Sequence, residues 1–338
     1  MWGDARKPPV GDFGHRLAVL CYHRVSRDGR LGSFHTSGIG AELLHEQITY
    51  LRKSCEVLPL EEALERLEFG TIPKRAVAVT FDDGYAELAE SAFPILWDLR
   101  VPATVFLVAG HVGTDAPFWW EEVASRVKIV TEQVLAKALQ PCDLQVVDRH
   151  HGWVAALIDG LKRVPNETRE TFMNDLRQAT GCMNFPRMSL NWEEVRAARS
   201  WGISFGSHSL THPNLTSLGQ EALARELRIS REIIESMAGS SCRVLAYPHG
   251  DHNERVRGAV ESAGYRWAAT MERGTNGRGE NRLTLRRYPV YAYHDEYLFP
   301  AMLRGWLNLP YGLAAKARKI KRLRRKSSVV SIGTGEKM

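Results

Sequence analysis

The chain has few cysteines, only five in 338 residues, and they are scattered without a C-x-x-C pair. An odd, dispersed set argues against a disulfide framework, and the missing pair argues against a cysteine zinc site. Residues 1–16 lack the apolar stretch of a signal peptide, and no run of about 18 apolar residues occurs that could span a membrane. We therefore expect a cytoplasmic protein, with the inner face of the membrane as an alternative location.

Outside one segment, the chain also lacks an excess of positive charge. The formal net charge is +6, but eight Lys and Arg side chains lie within residues 316–326. Subtracting these eight charges from +6 leaves a body of net charge −2. A body of this charge is not typical of a nucleic-acid-binding protein, so we expect no nucleic-acid partner.

Apolar segments of strand length alternate along the chain with segments of helical periodicity. The predicted strands are 17–22, 76–81, 103–108, 203–207, 243–247 and 266–270, and the predicted helices are about 40–53, 59–68, 86–99, 219–238 and 252–263. Strands that are apolar throughout and alternate with helices predict a parallel sheet with helices outside. Because polar residues recur at strand carboxyl ends, a distorted (β/α) barrel fits this α/β pattern better than an open sheet.

Residues 115–190 interrupt the alternation and predict a helical insertion that forms a lid or a side wall. The insertion opens with Phe118, Trp119 and Trp120, for which core packing is favoured over sugar stacking. Ser189 is predicted to cap the helix that follows. We expect one main domain over residues 14–300, which includes the insertion, and a separate tail over residues 301–338.

The apolar run at residues 77–81 ends in two adjacent carboxylates, Asp82 and Asp83, followed by Gly84. Burying a carboxylate without a partner costs several kcal/mol, so we expect the strand to stop here and the acids to line a site. Gly84 supplies the permissive backbone of the exit turn. Adjacent strand residues point to opposite sides, so one acid could hold a metal ion while the other moves protons.

Two histidines four residues apart, His208 and His212, have a spacing suited to a shared metal ion on one side of a helical turn. Pro213 restricts this to a single turn at a strand end. With Asp83 they form a His-His-Asp set, enough for a borderline divalent cation with one open position. The spacing alone could arise by chance among 12 histidines, so the prediction depends on the neighbouring acid pair.

These segments resemble two motifs of the polysaccharide deacetylases, the fourth carbohydrate esterase family with its NodB-homology domain. The motifs are Thr80-Phe81-Asp82-Asp83-Gly84 and His208-Ser209-Leu210-Thr211-His212. A third motif appears in altered form at residues 243–250, with His249 where the family usually has an aromatic residue. The resemblance covers roughly residues 17–295 and is nearest to the poly-N-acetylglucosamine deacetylase branch.

The resemblance implies a catalytic domain that removes N-acetyl groups from an N-acetylated polysaccharide or a lipid-linked glycan. It implies that Asp82 is the general base and that Asp83, His208 and His212 bind a divalent metal ion, for which Zn²⁺ is expected. The division agrees with the chemistry, because a metal ion makes water more acidic and a nearby carboxylate can accept its proton.

The resemblance also implies residues that surround the substrate. A backbone N–H near Tyr247 is expected to hold the developing oxyanion. Pro248 and His249 are expected to line the pocket. Arg287 could brace Asp82, although solvated surface charge is an equally good interpretation of the Arg286-Arg287 pair.

The general acid that protonates the leaving nitrogen stays open, because the family's usual late histidine motif has no clean copy here. His23 is the favoured candidate, because it ends the first strand and resembles the acid histidine of the poly-N-acetylglucosamine branch. His294 is the second candidate, and neither residue need be the acid.

Two other functions remain open at the level of the sequence. The same hydrolytic machinery could act on an O-acetyl group, a formyl group or a small cyclic amide. A degenerate, metal-holding glycan-binding module is the non-enzyme alternative. The intact Asp82 argues against a module, because a binder has no need of the second carboxylate, whereas the missing acid motif argues mildly for it.

Residues 311–326 can form a basic helix with a thin apolar stripe of Leu313, Ala317, Ile320 and Leu323. Such a helix could lie on an anionic membrane, where each Lys or Arg contributes roughly 1 kcal/mol. A solvated, partly disordered tail is the alternative interpretation.

Liposome sedimentation separates these two interpretations of the tail. If the basic helix docks, the full chain pellets with anionic vesicles and a chain truncated after residue 310 stays in the supernatant. Raising the salt concentration should release the full chain, because exposed charges are screened. Equal pelleting of both forms would end the membrane hypothesis.

Overall fold

The computed structural model describes residues 13–28, 38–145, 149 and 152–303. Within these residues, the strands are β1 Leu17–Tyr22, β2 Val25–Ser26, β3 Ile39–Gly40, β4 Glu56–Val57, β5 Ala76–Phe81, β6 Ala103–Leu107, β7 Ile203–Ser207, β8 Val244–Ala246, β9 Trp267–Ala269, β10 Thr275–Asn276 and β11 Tyr288–Pro289. The larger helices around them are α1 Ala41–Ser54, α2 Leu60–Phe69, α3 Leu88–Ser91, α4 Phe93–Asp98, α9 Trp192–Arg199, α10 Gln220–Ala238, α11 Glu254–Ser262 and α12 Leu298–Leu303.

Nine of the described strands form one curled sheet in the order β10-β1-β5-β6-β7-β8-β9. Strand β11 pairs with β1, and β4 pairs with β5. All pairs are parallel except β1 with β10. The predicted α/β architecture, a partly closed barrel of parallel strands with outer helices, is confirmed.

The apolar strands explain why the sheet is buried on both faces. Every residue of β1 and β5 is buried. Successive side chains alternate between two hydrophobic clusters: Leu17 and Val19 join one, whereas Ala18, Leu20 and Tyr22 join the other. A strand that must fill a core on each side needs apolar residues throughout, as the sequence has.

The register of the strands brings their carboxyl ends to one edge. Tyr22 at the end of β1 pairs with Phe81 at the end of β5. Leu107 at the end of β6 pairs with Ser207 at the end of β7. The residues that follow these strands therefore meet at the same rim of the sheet.

Two local predictions need correction. The predicted helix 86–99 is divided at Ala92 into α3 and α4, because Pro94 lacks the N–H that a continuous helix would use. The cap of α9 is Asn191 and not Ser189. Asn191 forms a capping box with Glu194, whereas the Ser189 hydroxyl donates to the His111 carbonyl.

The described residues between β6 and α9 include four α-helices, α5 Trp119–Arg126, α6 Glu132–Leu139, α7 Trp153–Leu161 and α8 Asn166–Thr180. Glu122 joins two of them, since it accepts from Arg126 of its own helix at 2.7 Å and from Arg177 of α8 at 2.7 Å. The rings of Phe118 and Trp120 stack at 4.8 Å, and Trp119 and Trp120 are only 7% and 9% exposed. These aromatic rings therefore pack within the fold.

At the carboxyl end of the described chain, α12 spans residue 300, so the predicted boundary between domain and tail falls inside a helix. The basic segment 311–326 lies outside the described residues. Among the described helices, none combines the length and the apolarity that crossing a membrane requires.

Candidate metal centre

The chain turns sharply where β5 ends. Asp82 extends the ladder by one residue, because its N–H donates to the Tyr22 carbonyl at 2.9 Å. Asp83 and Gly84 both have a φ of 70°, in the left-handed region. A Cβ at position 84 would lie 2.7 Å from Leu107 Cδ2, so glycine is required there. Asp83 has no such freedom, and a non-glycine residue held in this conformation is typical of functional sites.

The two histidines lie on a loop after β7 and not on a helical turn, which corrects the predicted geometry. His208 N–H donates to the Leu107 carbonyl at 2.8 Å. Ser209 and His212 then take φ values of 66° and 57°. Three hydroxyl and carboxylate groups hold the loop: Ser207 Oγ accepts from Ser209 N–H, Ser209 Oγ accepts from His212 N–H, and Glu226 accepts from Leu210 and Thr211 N–H.

The structure brings Asp83, His208 and His212 into one triangle. Their facing nitrogens, His208 Nε2 and His212 Nε2, are 3.2 Å apart, and Asp83 Oδ1 lies 3.5 Å and 3.6 Å from them. Ligands of a tetrahedral zinc ion at about 2.1 Å stand about 3.4 Å apart. The three atoms therefore fit a single cation of this size.

Hydrogen bonding and burial prepare the same triangle for a cation. His208 Nδ1 donates to the Ala246 carbonyl at 2.8 Å, which leaves the lone pair of its Nε2 in the triangle. Burial lowers the pKa of both imidazoles, so they are neutral ligands at pH 7. Burial, and then the charges of Asp82 and Glu121, raise the pKa of Asp83, so its carboxylate needs a positive partner.

Asp82 lies beside the triangle and is bound by Arg287. The guanidinium donates to both carboxylate oxygens, with Nη1 to Oδ1 at 2.6 Å and Nη2 to Oδ2 at 2.8 Å. Arg287 is fully buried, and its Nε donates to the Thr270 carbonyl at 3.0 Å. Burial alone would raise the pKa of Asp82, but Arg287, and then His208, hold it well below its usual range. Asp82 Oδ2 is 3.9 Å from His208 Nε2.

His23 and Cys21 lie on the other side of Asp82, because β1 and β5 end in register. One atom from each of Cys21, His23 and Asp82 lies within 4.8 Å of the others. The Cys21 thiol donates to Asp82 Oδ2 at 3.4 Å. Burial lowers the pKa of His23 to about 4, against the opposing charge of Asp82. Cys21 was not predicted as a site residue, although its position two residues before His23 places both on one side of the strand.

His294 is held by contacts of its own loop. Its Nδ1 accepts from Tyr291 N–H at 3.1 Å, and its carbonyl accepts from Gln47 Nε2 at 2.8 Å. Within the part of the chain that the structure describes, no recorded contact joins His294 to Asp82 or to the triangle. His23 is therefore the only one of the two acid candidates found beside Asp82.

The backbone donor expected near Tyr247 stays a prediction, and the N–H of Tyr247 itself is already used. Its N–H donates to the Ala269 carbonyl at 2.9 Å and its hydroxyl to the Leu283 carbonyl at 3.0 Å, so both donors are used within the fold. Pro248 has no N–H. His249, with a φ of 61°, therefore carries the first N–H of this loop that can serve the site. Its ring packs edge-on against that of His212 at 4.6 Å.

A polar network that contacts His212 of the triangle was also not predicted from the sequence. The Trp120 ring lies 4.6 Å from the His212 ring, and its Nε1 donates to the Tyr85 hydroxyl at 2.8 Å. Tyr85 in turn donates to Glu121 at 3.0 Å. These residues come from separate segments whose meeting depends on the packing of α5, which no local pattern reveals.

A family model for polysaccharide deacetylase matches residues 70–137 and 159–268, more than half of the chain. The chain therefore belongs to the polysaccharide deacetylase family, and its assignment as a hydrolase of carbon–nitrogen bonds is confirmed at this level. The three motifs quoted above lie within the matched segments, whereas the candidate residues His23, Arg287 and His294 lie outside them.

Two relatives come from the curated proteins. The putative polysaccharide deacetylase YxkH of Bacillus subtilis (strain 168) is 21% identical over 291 residues, covering 86% of this chain and 74% of the relative. The poly-beta-1,6-N-acetyl-D-glucosamine N-deacetylase of Staphylococcus aureus (strain MSSA476) is 33% identical over 108 residues, covering 29% of this chain and 37% of the relative.

Two solved structures share the fold. The deacetylase PplD of Streptococcus pyogenes, in complex with acetate, superposes with a TM-score of 0.58 at 16% identity, covering 85% of this chain and 98% of that one. IcaB from Ammonifex degensii gives 0.58 at 19% identity, covering 88% and 100%. At these identities the likeness establishes the deacetylase-type barrel.

The Asp82–Arg287 pair predicts a measurable energetic coupling. Replacing Arg287 by Gln leaves a buried carboxylate without its cation, which should cost about 3–5 kcal/mol in the free energy of unfolding. Adding Asp82→Asn should recover part of this cost, because the unpaired charge is removed. Urea unfolding of the two single variants and the double variant measures the coupling.

A substitution of the neighbouring arginine is the control for these unfolding measurements. Arg286→Gln removes a neighbouring positive charge whose side chain is 43% exposed, and it should change stability by less than about 1 kcal/mol. Strictly additive effects of the Asp82 and Arg287 substitutions would contradict the coupling.

Proposed function

We propose that this protein is a metal-dependent hydrolase that removes N-acetyl groups from a glycan rich in N-acetylglucosamine. The observation that carries the proposal is the triangle of Asp83, His208 and His212 with a second, Arg-bound carboxylate 3.9 Å from it. A pure binding site has no use for that second acid. The 33% identity with the Staphylococcus aureus enzyme over 108 residues supports the substrate class.

The cation that suits the triangle is divalent, and Zn²⁺ is the best candidate. Two neutral imidazoles and one carboxylate are borderline-to-hard ligands, and three protein ligands are the usual number in a catalytic zinc site. When bound, such an ion supplies Lewis-acid chemistry, because it polarises a carbonyl oxygen and increases the acidity of water.

Asp82 acts as the general base in this proposal. Its low pKa keeps it ionised at neutral pH, and Arg287 fixes the orientation of its plane through two hydrogen bonds. One carboxylate oxygen accepts a proton as water attacks the acetyl carbonyl carbon. The N–H of His249 is the backbone donor proposed for the developing oxyanion, since the Tyr247 N–H is already used.

His23 is proposed to deliver a proton to the leaving nitrogen. The imidazole is neutral before the reaction because burial lowers its pKa to about 4, so it can first accept a proton. Its position within 4.8 Å of Asp82 supports a relay, in which the proton taken from water passes from Asp82 through His23 to the amine. The carbon–nitrogen bond then breaks and leaves acetate and a free amine.

The tail and the location are also proposals. A basic helix at residues 311–326 would bring the enzyme to an anionic membrane surface on the cytoplasmic side, which suits a lipid-linked or nascent glycan.

Acetate release from chito-oligosaccharides with added zinc tests the function. Asp82→Asn should lower the rate at least about 10²-fold, because the proton acceptor is lost. Bound zinc, measured by elemental analysis, should be unchanged, since the three ligands remain. Asp98→Asn on the outer helix α4 is the matched control and should keep full activity. Tight sugar binding without acetate release in the unaltered protein would favour the glycan-binding module instead.

The proton relay gives a separate prediction. His23→Ala should lose most of the turnover while retaining its metal, because the residue lies beside Asp82 and outside the triangle. His45→Ala, on the exposed side of α1, controls for the loss of an imidazole. Unchanged turnover in His23→Ala would remove this residue from the mechanism.

A further inference from the structure

Three arginines are buried among the described residues, and one of them differs from the others. Arg126 pairs with Glu122, and Arg287 pairs with Asp82. Arg169, on α8, is 3% exposed, and its Nη2 donates to Asn166 Oδ1 at 2.7 Å. Its Nε and Nη1 have no hydrogen-bond acceptor in the described part of the chain. Three N–H groups of a buried cation are therefore unsatisfied there.

Contact with an aromatic ring compensates for only part of this cost. The Arg169 guanidinium lies over the Trp119 ring, with Cζ 4.3 Å from the ring centroid. A cation–π contact on a desolvated ring contributes about 2 kcal/mol, whereas burying an unpaired ion costs several kcal/mol. Burial lowers the pKa of Arg169 only to about 10, so the side chain is charged at neutral pH. The guanidinium therefore needs an anion.

Arg169 is close to the metal centre. The Trp119 ring that it covers lies 6.4 Å from the His249 ring, and His249 packs against His212 at 4.6 Å. His249 Nε2 is also buried without a partner among the described residues. Arg169, Trp119 and His249 thus form one wall of the centre. Arg169 and His249 carry nitrogens that, among the described residues, are free to bind a ligand.

Lys162 adds a second positive charge to the same wall. Its carbonyl accepts from Asn214 Nδ2 at 3.4 Å, which holds the end of α7 against the loop that follows His212. The Lys162 ammonium has a loose pairing with Asp159, at 3.9 Å.

We propose that Arg169 binds an anionic group that the glycan carries next to the reacting N-acetylated sugar. A phosphate or a carboxylate has the charge and the acceptor oxygens that the guanidinium requires. Successive contacts through the rings of Trp119 and His249 connect this guanidinium to His212, so the anion would belong to the same glycan segment as the acetyl group. The inference rests on the proposed function and specifies its substrate class as an anionic N-acetylated glycan.

Two substrates test the inference, an N-acetylglucosamine tetrasaccharide and the same tetrasaccharide carrying one phosphate ester. We expect the unaltered enzyme to have a kcat/KM about tenfold higher for the phosphorylated form, as one charge-assisted hydrogen-bonding group provides. In Arg169→Gln, this ratio should fall to about one through a rise in KM for the phosphorylated form. Arg169→Lys, which keeps the charge, should retain part of the preference and controls for damage to the fold.

Arg163→Gln is the matched control. It removes one positive charge from the same region, but its side chain is 71% exposed and pairs with Asp159. This variant should keep the full preference. A loss of preference equal to that of Arg169→Gln would show that only long-range charge matters and would overturn the assignment to Arg169.

The remaining outcomes also decide the matter. Equal turnover of the two substrates by the unaltered enzyme refutes the inference and leaves the proposed function intact. If Arg169→Gln instead weakens inhibition by acetate and leaves the substrate ratio unchanged, the anion is the released product and the inference is wrong. If no acetate is released from either substrate, the proposed function fails, and calorimetric binding of the two tetrasaccharides to the Asp82→Asn protein still measures the preference for phosphate.

Discussion

The arrangement of this site depends on how two adjacent buried carboxylates are kept in the fold. Asp82 and Asp83 are consecutive residues at a rim where burial opposes both charges, and each charge opposes the other. The bidentate contact of Arg287 neutralises Asp82. Among the described residues, no Lys or Arg ion pair is found for Asp83, which faces two neutral imidazoles. In the proposed function, the division of labour between base and ligand follows from which acid the arginine binds.

The sheet delivers these groups through its register. Strands β1, β5, β6 and β7 lie side by side, and each is followed by a residue of the site or of its support. The backbone N–H of Asp82 donates to Tyr22, and that of His208 donates to Leu107, so each functional residue is anchored to the neighbouring strand. Parallel strands with aligned carboxyl ends are the feature that makes such convergence possible.

The parts of the structure that local patterns encode could be predicted from the sequence. Continuous apolar runs predicted the strands, and the two acids directly after Phe81 predicted that this strand ends at the rim of the sheet. The conformation of the histidine loop could not be read in this way, because Ser209 and His212 are not residues whose type indicates left-handed backbone. The use of the Tyr247 N–H by Ala269 depends on strand pairing, which one segment cannot reveal.

The other residues of the site could not be predicted from the sequence, because their roles depend on contacts between distant segments. Arg286 and Arg287 are indistinguishable as sequence neighbours, yet Arg287 is fully buried against Asp82 and Arg286 is only partly buried. Arg169 looks like an ordinary helix-surface residue in the sequence, and only the packing of α8 against Trp119 buries it. Such assignments require the tertiary structure, because the decisive partner lies tens of residues or more away along the chain.

The hydrogen bonds of the histidine loop have a consequence for how the proposed cation would bind. The loop is held by Ser207, Ser209 and Glu226, which belong to the strand, the loop itself and an outer helix. Its shape is therefore maintained by the polypeptide, in contrast to zinc fingers, whose chain orders only around the metal. If the proposed cation is bound here, it meets a site that is already shaped, so a chelator would inactivate the proposed enzyme without unfolding it, and resupply of the cation would restore it without a refolding delay.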